Sequence, residues 1–362
     1  MPLEMFNTLH TPTLLVDRDR LARNIEAMQQ VCDQHGVALW PHIKTHKMIE
    51  VAKMQLAAGA KGICCAKLGE AEVMLQSGVR RIFLAHSLVD PNQASRLRRL
   101  AESLDELVLA VTSVPQCEAL DRILTKADLQ LPVMLGLDSG SHREGVRSLE
   151  GAVHLAEFIR KSSRMRLKGI YAHEGEVNAL QPGDVDDAIR EIHSYLMRVR
   201  DAVDPSLEVW PGCSVTGARM AAMPGVTAVR PGTYVFGDLS LAIRQPVMDW
   251  NELALTVLTT VVDRPDENFA LVDAGSKTFS GDKTAEGLSG IAYDRRDIKV
   301  SKCSEEHGWV TGSQVKELEV GERLRFVPAH VCTCVNMLDE VTVVSGNQVV
   351  DTWKVAARGK VQ

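Results

Sequence analysis

The 362-residue sequence predicts an α/β protein in two parts: a (β/α)8 barrel of the TIM type and a C-terminal all-β domain. Up to about residue 245, short apolar runs alternate with amphipathic helical stretches. The runs are too apolar for half-solvated strands, which is typical of a parallel sheet covered by helices. After residue 250, strand-like runs continue without long helical stretches between them. We therefore expect a barrel over 11–245 and a β domain over 246–362, with 1–10 or the first strand added to the latter.

Nine apolar runs precede residue 245, and eight is the number of strands that closes a barrel. The first run, Leu14–Val16, is surplus and needs a partner elsewhere, which the β domain could supply. The eight candidate barrel strands are Ala38–Ile43, Gly62–Ala66, Ile82–Ala85, Leu107–Thr112, Pro132–Leu137, Leu167–Ala172, Glu208–Pro211 and Thr227–Arg230. An open doubly wound sheet is the alternative, although no GxGxxG turn follows an early strand.

Helices and the later strands complete the prediction. The main helical stretches are Leu21–Cys32, Glu50–Ala58, Glu70–Gln76, Gly151–Arg160 and Ala188–Val203. The β-domain strands are Val257–Val262, Ala270–Asp273, Leu324–Pro328, Val341–Val344 and Val349–Trp353. Gly346 and Asn347 separate the last two strands and favour a hairpin.

Composition excludes several classes of protein. A net charge of −6 without a basic cluster argues against binding to nucleic acid or anionic membranes. No apolar run reaches the ~20 residues of a membrane span, and residues 1–10 lack the features of a signal peptide. Eight cysteines are too few for a disulfide scaffold of this length. We therefore expect a soluble, cytoplasmic protein.

The segment PHIKTHK (41–47) ends the first barrel strand, at the edge where barrels place their active sites. Lys44 shares strand parity with His42 and Trp40, so it points into the barrel if the strand extends that far. A lysine there is costly as a cation, and a neutral amine is what a Schiff base requires. The alternative is a solvated loop lysine, which is how we interpret Lys47.

Four later strand ends add polar residues and glycine-rich turns. They are LDSGSHREGV (137–146), YAHEG (171–175), PGCSVTG (211–217) and RPGTYVFGD (230–238). The last two lie where barrels often bind a phosphate through backbone N–H groups. A Schiff-base lysine, a stacking histidine, an arginine for a ring nitrogen and a phosphate cradle together describe a pyridoxal phosphate site.

With these motifs, the sequence resembles the fold-type III pyridoxal phosphate enzymes, whose barrel is alanine-racemase-like. Within them it is most similar to the D-threonine aldolase and D-serine dehydratase branch. Further matching motifs are TPTLLVD (11–17), DAGSKTFS (273–280), SEEHG (304–308) and PAHVC (328–332). PHIKTHK and PAHVC are the most specific, and the resemblance covers nearly the whole chain.

The resemblance implies roles for individual residues. Lys44 would bind pyridoxal phosphate covalently, Arg143 would face the pyridine nitrogen, and His173 would stack near the ring beside Tyr171. The residues around the phosphate would be Ser214, Thr216, Gly232, Thr233 and Tyr234. The family fold also implies that the first strand joins the C-terminal domain, and that the protein is a homodimer.

A second constellation is His330-Val331-Cys332, after the predicted strand Leu324–Pro328. On an extended chain the two side chains would share one face, and imidazole with thiolate suits Zn²⁺. Two residues alone favour a core histidine beside a buried thiol. The resemblance reverses this, because members of the branch carry a catalytic divalent ion, Mn²⁺, Mg²⁺ or Zn²⁺, on such a pair. Cys334 could be a further thiolate, although burial is the simpler interpretation.

The resemblance implies a lyase for 3-hydroxy-D-amino acids, first of all a low-specificity D-threonine aldolase that yields glycine and acetaldehyde. His173 or a metal-bound hydroxide would take the hydroxyl proton. A D-serine dehydratase is the alternative, with Lys44 taking the Cα proton. A 3-hydroxy-D-aspartate aldolase or dehydratase is another, with Arg147 and Lys277 as spare cations for a second carboxylate.

Two classes outside the lyases stay open. An amino-acid racemase needs a second catalytic base, and no second catalytic tyrosine is evident. A non-catalytic pyridoxal-binding protein would lack the β domain. The sequence defines no role for Asp273, Lys277 or the segment 305–307.

Overall fold

A computed structural model describes residues 6–362; residues 1–5, and with them half of the segment 1–10, lie outside the described residues. The chain divides into two compact units. The barrel unit comprises Glu26–Lys44, Ile49–Gly232 and Lys360–Gln362. The β unit comprises, among the described residues, 6–25, Thr45–Met48 and Thr233–Gly359. This division falls after Gly232, whereas the sequence places the domain boundary after residue 245.

The first strand of the chain belongs to the β unit, and the next eight form the barrel. Strand β1 (Thr13–Asp17) belongs to the β unit. The barrel strands are β2 (Ala38–Leu39), β3 (Ile63–Cys65), β4 (Arg81–Leu84), β5 (Glu106–Val111), β6 (Leu131–Leu137), β7 (Met165–Ala172), β8 (Glu208–Trp210) and β9 (Ala228–Val229). Strands β3 to β8 form one parallel sheet in chain order, and β2 pairs with β9, also in parallel.

Backbone hydrogen bonds join these two sheets into a ring. The amide of Cys64 in β3 donates to the carbonyl of Pro41 (2.8 Å), just beyond β2. The amide of Thr227, which precedes β9, donates to the carbonyl of Val209 in β8 (3.0 Å). All eight predicted barrel strands are therefore linked, so the barrel is confirmed and the open-sheet alternative is wrong.

Side chains from all around the ring fill the barrel. The buried cluster consists of Trp40, Cys64, Phe83, Val108, Ala110, Met134, Tyr171, Trp210 and Ala228. The rings of Trp40 and Trp210 lie 4.6 Å apart, and Phe83 meets Trp210 edge-on at 5.5 Å. A barrel of this kind is a packed core and not a pore, so ligands have to bind where the strands end.

One helix precedes each of the eight barrel strands. They are α1 (Arg18–His35), α2 (Ile49–Ala58), α3 (Leu68–Met74), α4 (Ala94–Glu102), α5 (Val114–Ala127), α6 (Leu149–Lys161), α7 (Val185–Val203) and α8 (Gly217–Ala221). Ser113 and Ser148 cap α5 and α6 by accepting the amides of Gln116 and Gly151, as N-cap serines commonly do. Among the described residues, every helix is too short or too polar to cross a bilayer.

Besides β1, the strands of the β unit are β10 (Leu255–Asp263), β11 (Phe269–Val272), β12 (Gly290–Ala292), β13 (Lys299–Cys303), β14 (Gly308–Thr311), β15 (Arg323–Pro328), β16 (Glu340–Ser345) and β17 (Gln348–Lys354). They form a nine-stranded sheet in the order β11-β14-β13-β12-β15-β10-β1-β16-β17. Two short helices, α9 (Ser276–Phe279) and α10 (Val331–Val335), interrupt them. Strand β1 lies between β10 and β16, so the surplus apolar run has its partners in this sheet.

The hairpin predicted at the end of the chain is confirmed. Ser345 pairs with Gln348 across the two residues Gly346 and Asn347. Gly346 adopts a φ of +56°, a conformation that glycine reaches without a steric penalty.

Candidate active site

Residues at or just beyond the ends of the barrel strands line a cavity of about 390 Å³. A cavity of this size can hold a cofactor or another small molecule. Its polar and charged lining residues include His42, Lys44, His86, Ser141, Arg143, Glu144, Tyr171, His173 and Arg230. The structure thus brings together the four residues predicted to contact the cofactor ring or bind it covalently.

Lys44 reaches this cavity by a route that differs from the prediction. Strand β2 ends at Leu39, and Lys44 lies in a 3-10 helix, Ile43–Thr45. The strand-parity argument for Lys44 is therefore wrong, because the backbone leaves the extended conformation before that residue. Lys44 is half-buried and lines the cavity together with His42. Lys47 was interpreted as solvated, which is also wrong, since it is only 7% exposed.

The tautomer of His173 follows from its partner. Its Nδ1 lies 2.6 Å from the carbonyl oxygen of Gly212, which can only accept, so Nδ1 carries the proton. Burial, and then the positive charge of Lys44, lower the pKa of His173 to about 3. The ring is therefore neutral near pH 7, with its lone pair on Nε2. A Cβ on Gly175 would lie 3.1 Å from that nitrogen, so the glycine leaves it room.

Glu174 is a functional candidate that the sequence did not reveal. It is fully buried, and both carboxylate oxygens accept the amide of Gly212 at 3.1 Å. Its Oε2 also accepts the hydroxyl of Thr216 (3.0 Å). Burial raises the pKa of Glu174 to about 7. Thr216, which was predicted to lie beside a phosphate, therefore donates its hydroxyl hydrogen bond to Glu174. Glu174 thereby links Thr216 to Gly212 in the same turn.

Arg230 is a second residue that the sequence reasoning missed, although it begins the motif RPGTYVFGD. It is 4% exposed and donates from Nε to the carbonyl of Trp210 (3.2 Å) and from Nη2 to that of Ala172. Its guanidinium carbon lies 5.2 Å from the ring centroid of Tyr171. These contacts fix a permanent cation in the cavity wall.

The remaining predicted phosphate residues fall into two groups. Ser214 Oγ accepts the amide of Gly232 (3.2 Å), so the two glycine-rich turns are joined in the barrel unit. Thr233 and Tyr234 begin a 3-10 helix, Thr233–Val235, and belong to the β unit. Tyr234 is buried, and Thr233 Oγ1 lies 3.7 Å from Cys332 Sγ.

The cavity has features that suit an anionic cofactor. The hydroxyl of Tyr171 is buried and has no hydrogen-bond partner among the described residues. An orphaned buried hydroxyl costs about 1–3 kcal/mol, which a polar ligand atom would recover. Lys44, Arg143 and Arg230 outnumber the single carboxylate, Glu144, in the lining. The residues present therefore fit pyridoxal phosphate.

His330 and Cys332 do not lie on an extended segment, so the geometric reason given for pairing them is wrong. Helix α10 begins at Val331, which makes His330 its N-cap and places Cys332 in its first turn. The buried carboxylate of Asp238 accepts the amide of Val331 (3.1 Å) and holds the start of this helix. The two side chains nevertheless meet, because a hydrogen bond joins them and raises the pKa of His330 to about 9.

The surroundings of this pair suit a divalent ion. His330 Nδ1 lies 2.9 Å from Asp282 Oδ2, and the hydroxyl of Thr45 lies 3.2 Å from Cys332 Sγ. Within residues 6–362, no group of three or more His, Cys, Asp or Glu side chains is placed to hold a metal. With His330 and Cys332 as its protein ligands, an ion would keep coordination positions for water and substrate, as an open site does. The donor set therefore fits a catalytic ion and not a closed structural one.

Comparison with models of known protein families identifies the family of this chain. The family model of the alanine racemase N-terminal domain matches residues 16–240, and that of a serine dehydratase domain matches residues 254–344. The chain belongs to the alanine racemase N-terminal domain family. This confirms the resemblance and the fold class predicted from the motifs.

Three similar proteins extend over nearly the whole chain. The 3-hydroxy-D-aspartate aldolase of Paracoccus denitrificans (strain Pd 1222) is 30% identical over 97% of this chain and 93% of its own length. The D-threo-3-hydroxyaspartate dehydratase of Delftia sp. (strain HT23) is 30% identical over 96% of this chain and 97% of its own. The crystal structure of D-threonine aldolase from Filomicrobium marinum superposes with a TM-score of 0.91 at 27% identity, covering 98% and 97% of the two chains.

Two residues that the sequence analysis singled out without a firm role, Asp273 and Cys334, have structural contacts. Asp273 accepts the hydroxyl of Thr11 (2.5 Å) and the amide of Thr260 (2.8 Å), which ties the segment before β1 to β10. Cys334 is buried, which raises the pKa of its thiol, and it donates to the carbonyl of Thr278 (3.1 Å). These contacts account for Asp273 and Cys334 without a ligand.

The two cations proposed for a second substrate carboxylate are both engaged. Arg147 Nε lies 2.8 Å from Asp138 Oδ2. Lys277 Nζ lies 2.7 Å from Glu306 Oε1, and both of these side chains are exposed. Glu306, in the segment 305–307, is therefore the partner of Lys277.

Proposed function

We propose that this chain is a lyase for 3-hydroxy-D-amino acids that depends on pyridoxal phosphate and a divalent ion, and that it cleaves D-threonine to glycine and acetaldehyde. One observation carries the proposal: Lys44, Arg143, Tyr171 and His173 line one cavity. The aldolase and dehydratase relatives, each 30% identical over at least 96% of the chain, support it. When bound, pyridoxal phosphate supplies an electron sink at Cα, and the divalent ion would acidify the substrate hydroxyl.

The role of His173 follows from its tautomer. Its Nδ1–H is committed to the carbonyl of Gly212, so only Nε2 can receive a proton. Because the ring is neutral, it can accept the hydroxyl proton as the Cα–Cβ bond breaks. The pKa of about 3 makes it a weak base, so it would act on an acidified hydroxyl.

Lys44 and the neighbouring cations would bind the cofactor. The amine of Lys44 would be the nucleophile of the cavity, and Arg143 and Arg230 line the same wall. Tyr171 offers its unpartnered hydroxyl in the same wall. These residues would bind and orient the cofactor while His173 holds the mobile proton.

Dehydration is the second candidate function. A dehydratase is among the relatives that match nearly the whole chain. For this chain, dehydration would start from removal of the Cα proton. Lys44 would be the base that takes this proton, and the hydroxyl would leave with the assistance of the divalent ion. Aldol cleavage and dehydration therefore differ in which residue takes a proton and from which atom.

The preference for D-threonine over a 3-hydroxyaspartate rests on the engaged cations. Arg147 and Lys277 already have carboxylate partners in Asp138 and Glu306. A second substrate carboxylate would have to compete with those partners. We therefore expect faster turnover of D-threonine than of D-threo-3-hydroxyaspartate.

Product analysis tests this function. The purified protein is incubated with pyridoxal phosphate, Mn²⁺ or Zn²⁺, and D-threonine, with L-threonine as the stereochemical control. Glycine with acetaldehyde is the expected result. Ammonia with 2-oxobutyrate would establish dehydration instead, and L-allothreonine would establish racemisation at Cα.

Two variants separate the cofactor from the metal. Lys44→Ala should abolish turnover, whereas Lys53→Ala, which removes an exposed lysine of α2, should not. His330→Ala should leave cofactor binding intact and abolish turnover, and full activity in that variant would refute the metal dependence.

The proposed active form is a homodimer. Analytical ultracentrifugation of the purified protein measures its oligomeric state, and a monomer with full activity would refute this part of the proposal.

A further inference from the structure

A closed set of hydrogen bonds surrounds the carboxylate that contacts His330. Asp282 Oδ2 lies 2.9 Å from His330 Nδ1 and also accepts the hydroxyl of Thr333 (2.6 Å). Ser280 Oγ donates to Thr333 Oγ1 (3.0 Å) and accepts the amide of Asp282 (3.2 Å). The bonds run from Asp282 through Ser280 and Thr333 back to Asp282. We call these three residues the Asp282 ring.

The carboxylate of Asp282 determines which atoms around it carry the hydrogen-bonding protons. Asp282 Oδ2, as part of a carboxylate, can only accept, so Thr333 donates to it and His330 carries a proton on Nδ1. The lone pair left for a metal ion on a neutral His330 is then on Nε2. A histidine that ligates a metal commonly donates a hydrogen bond from its other N–H group to a carboxylate, which fixes the orientation of the imidazole and raises its basicity.

The Asp282 ring is poorly explained as a device for stability. The side chains of His330 and Asp282 are 45% and 44% exposed, and ion pairs this exposed contribute about 0–1 kcal/mol. Ser280 has a φ of +70°, a strained conformation for a residue other than glycine. Such strain persists where surrounding contacts impose it, and here those contacts orient Asp282 toward His330.

We propose that Asp282, oriented by Thr333 and Ser280, is a positioning residue that selects the metal-binding tautomer of His330. This inference rests on the proposed function, because it takes His330 and Cys332 as the metal ligands. Asp282 is not itself a ligand in this proposal. Its removal would therefore weaken metal binding without abolishing it.

The test measures Zn²⁺ affinity of the full-length protein by competition with a chromophoric chelator. Asp282→Asn and Asp282→Ala should each raise the Zn²⁺ dissociation constant by about 10–100-fold. Thr333→Val leaves the His330–Asp282 contact possible but removes the hydroxyl that orients the carboxylate, so it should weaken binding by a smaller factor. Asp266→Asn, which removes a charge from the exposed loop between β10 and β11, is the matched control and should bind as the wild type does.

Absorption spectra of the Co²⁺-loaded proteins supply a second readout. At saturating Co²⁺, the Asp282 variants should keep the thiolate-to-metal band from Cys332, because the ligands themselves are unchanged. Thermal unfolding without metal should differ little from the wild type, as the exposed pair contributes little to stability.

The outcomes are distinguishable. If the wild type binds Zn²⁺ and Asp282→Asn binds it equally well, the positioning role is overturned while the metal site stands. If the wild type does not bind, or His330→Ala binds as well as the wild type, the proposed metal site fails and the inference fails with it. Should the Asp282 variants unfold, Thr333→Val decides: weaker binding supports the role of the ring, and unchanged binding overturns it.

Discussion

The buried carboxyl group of Glu174 should give the protein a pH-dependent stability that glutamine at this position removes. Burial raises its pKa from 4.5 to about 7, so the folded chain holds this proton more tightly than the unfolded chain does. The stabilisation is complete below pH 4.5 and is lost as the pH rises through about 7. At about 1.4 kcal/mol per pKa unit, the raised pKa of Glu174 corresponds to about 3 kcal/mol.

Urea unfolding of wild type and Glu174→Gln between pH 5 and 8 measures this effect. The neutral amide does not titrate, and its oxygen can still accept from Gly212 and Thr216. The free energy of unfolding of the wild type, relative to the variant, should therefore fall by about 2.5 kcal/mol across this range. Glu157→Gln, at an exposed position of α6, is the control and should follow the wild type. Parallel curves for wild type and Glu174→Gln would refute the reasoning.

Three further substitutions test the cavity. Lys44→Ala should lose covalently bound pyridoxal phosphate, seen as loss of its visible absorption band, and retention of the band would show that another amine binds it; Lys53→Ala is the control. Tyr171→Phe removes the orphaned hydroxyl, so it should stabilise the cofactor-free protein by about 1–3 kcal/mol in urea and weaken cofactor binding in a titration. Gly212→Ala would place a Cβ 2.8 Å from side-chain atoms of Arg230, and thermal unfolding should show a loss of about 1–3 kcal/mol. An unchanged melting temperature would mean that Arg230 moves aside freely.

The fold was predictable because buried parallel strands produce apolar runs that stand out from the amphipathic helices. The same reasoning missed strands β12, β13 and β14 in the β unit. They contain only three to five residues each, and β13 has the largely polar sequence KVSKC with a register shift between Val300 and Lys302. Neighbouring strands, and not their own hydrophobic pattern, hold such segments in the sheet.

The candidate site was predictable only in part. Residues in recognisable motifs, such as Lys44 and His173, could be named, but the geometric argument for Lys44 failed because strand β2 is short. Glu174 could not be found, since its partners Gly212 and Thr216 lie 38 and 42 residues away in the sequence. Asp282 could not be found either, because it lies 48 residues from its partner His330 in the sequence. A carboxylate acquires its role from the groups it meets, and spacing along the chain does not show them.

The two histidines that we propose for the reaction illustrate what these distant partners do. Each has Nδ1 held by an acceptor from another segment, so that Nε2 is the nitrogen left for chemistry. For His173 the acceptor is the uncharged carbonyl of Gly212, and burial keeps the ring neutral, which suits a group that receives a proton. For His330 the acceptor is the anionic Asp282, which increases electron density at Nε2 and suits a metal ligand. In the proposed mechanism, the burial of each histidine and the partner on its Nδ1 would thus direct the same residue type to two different tasks.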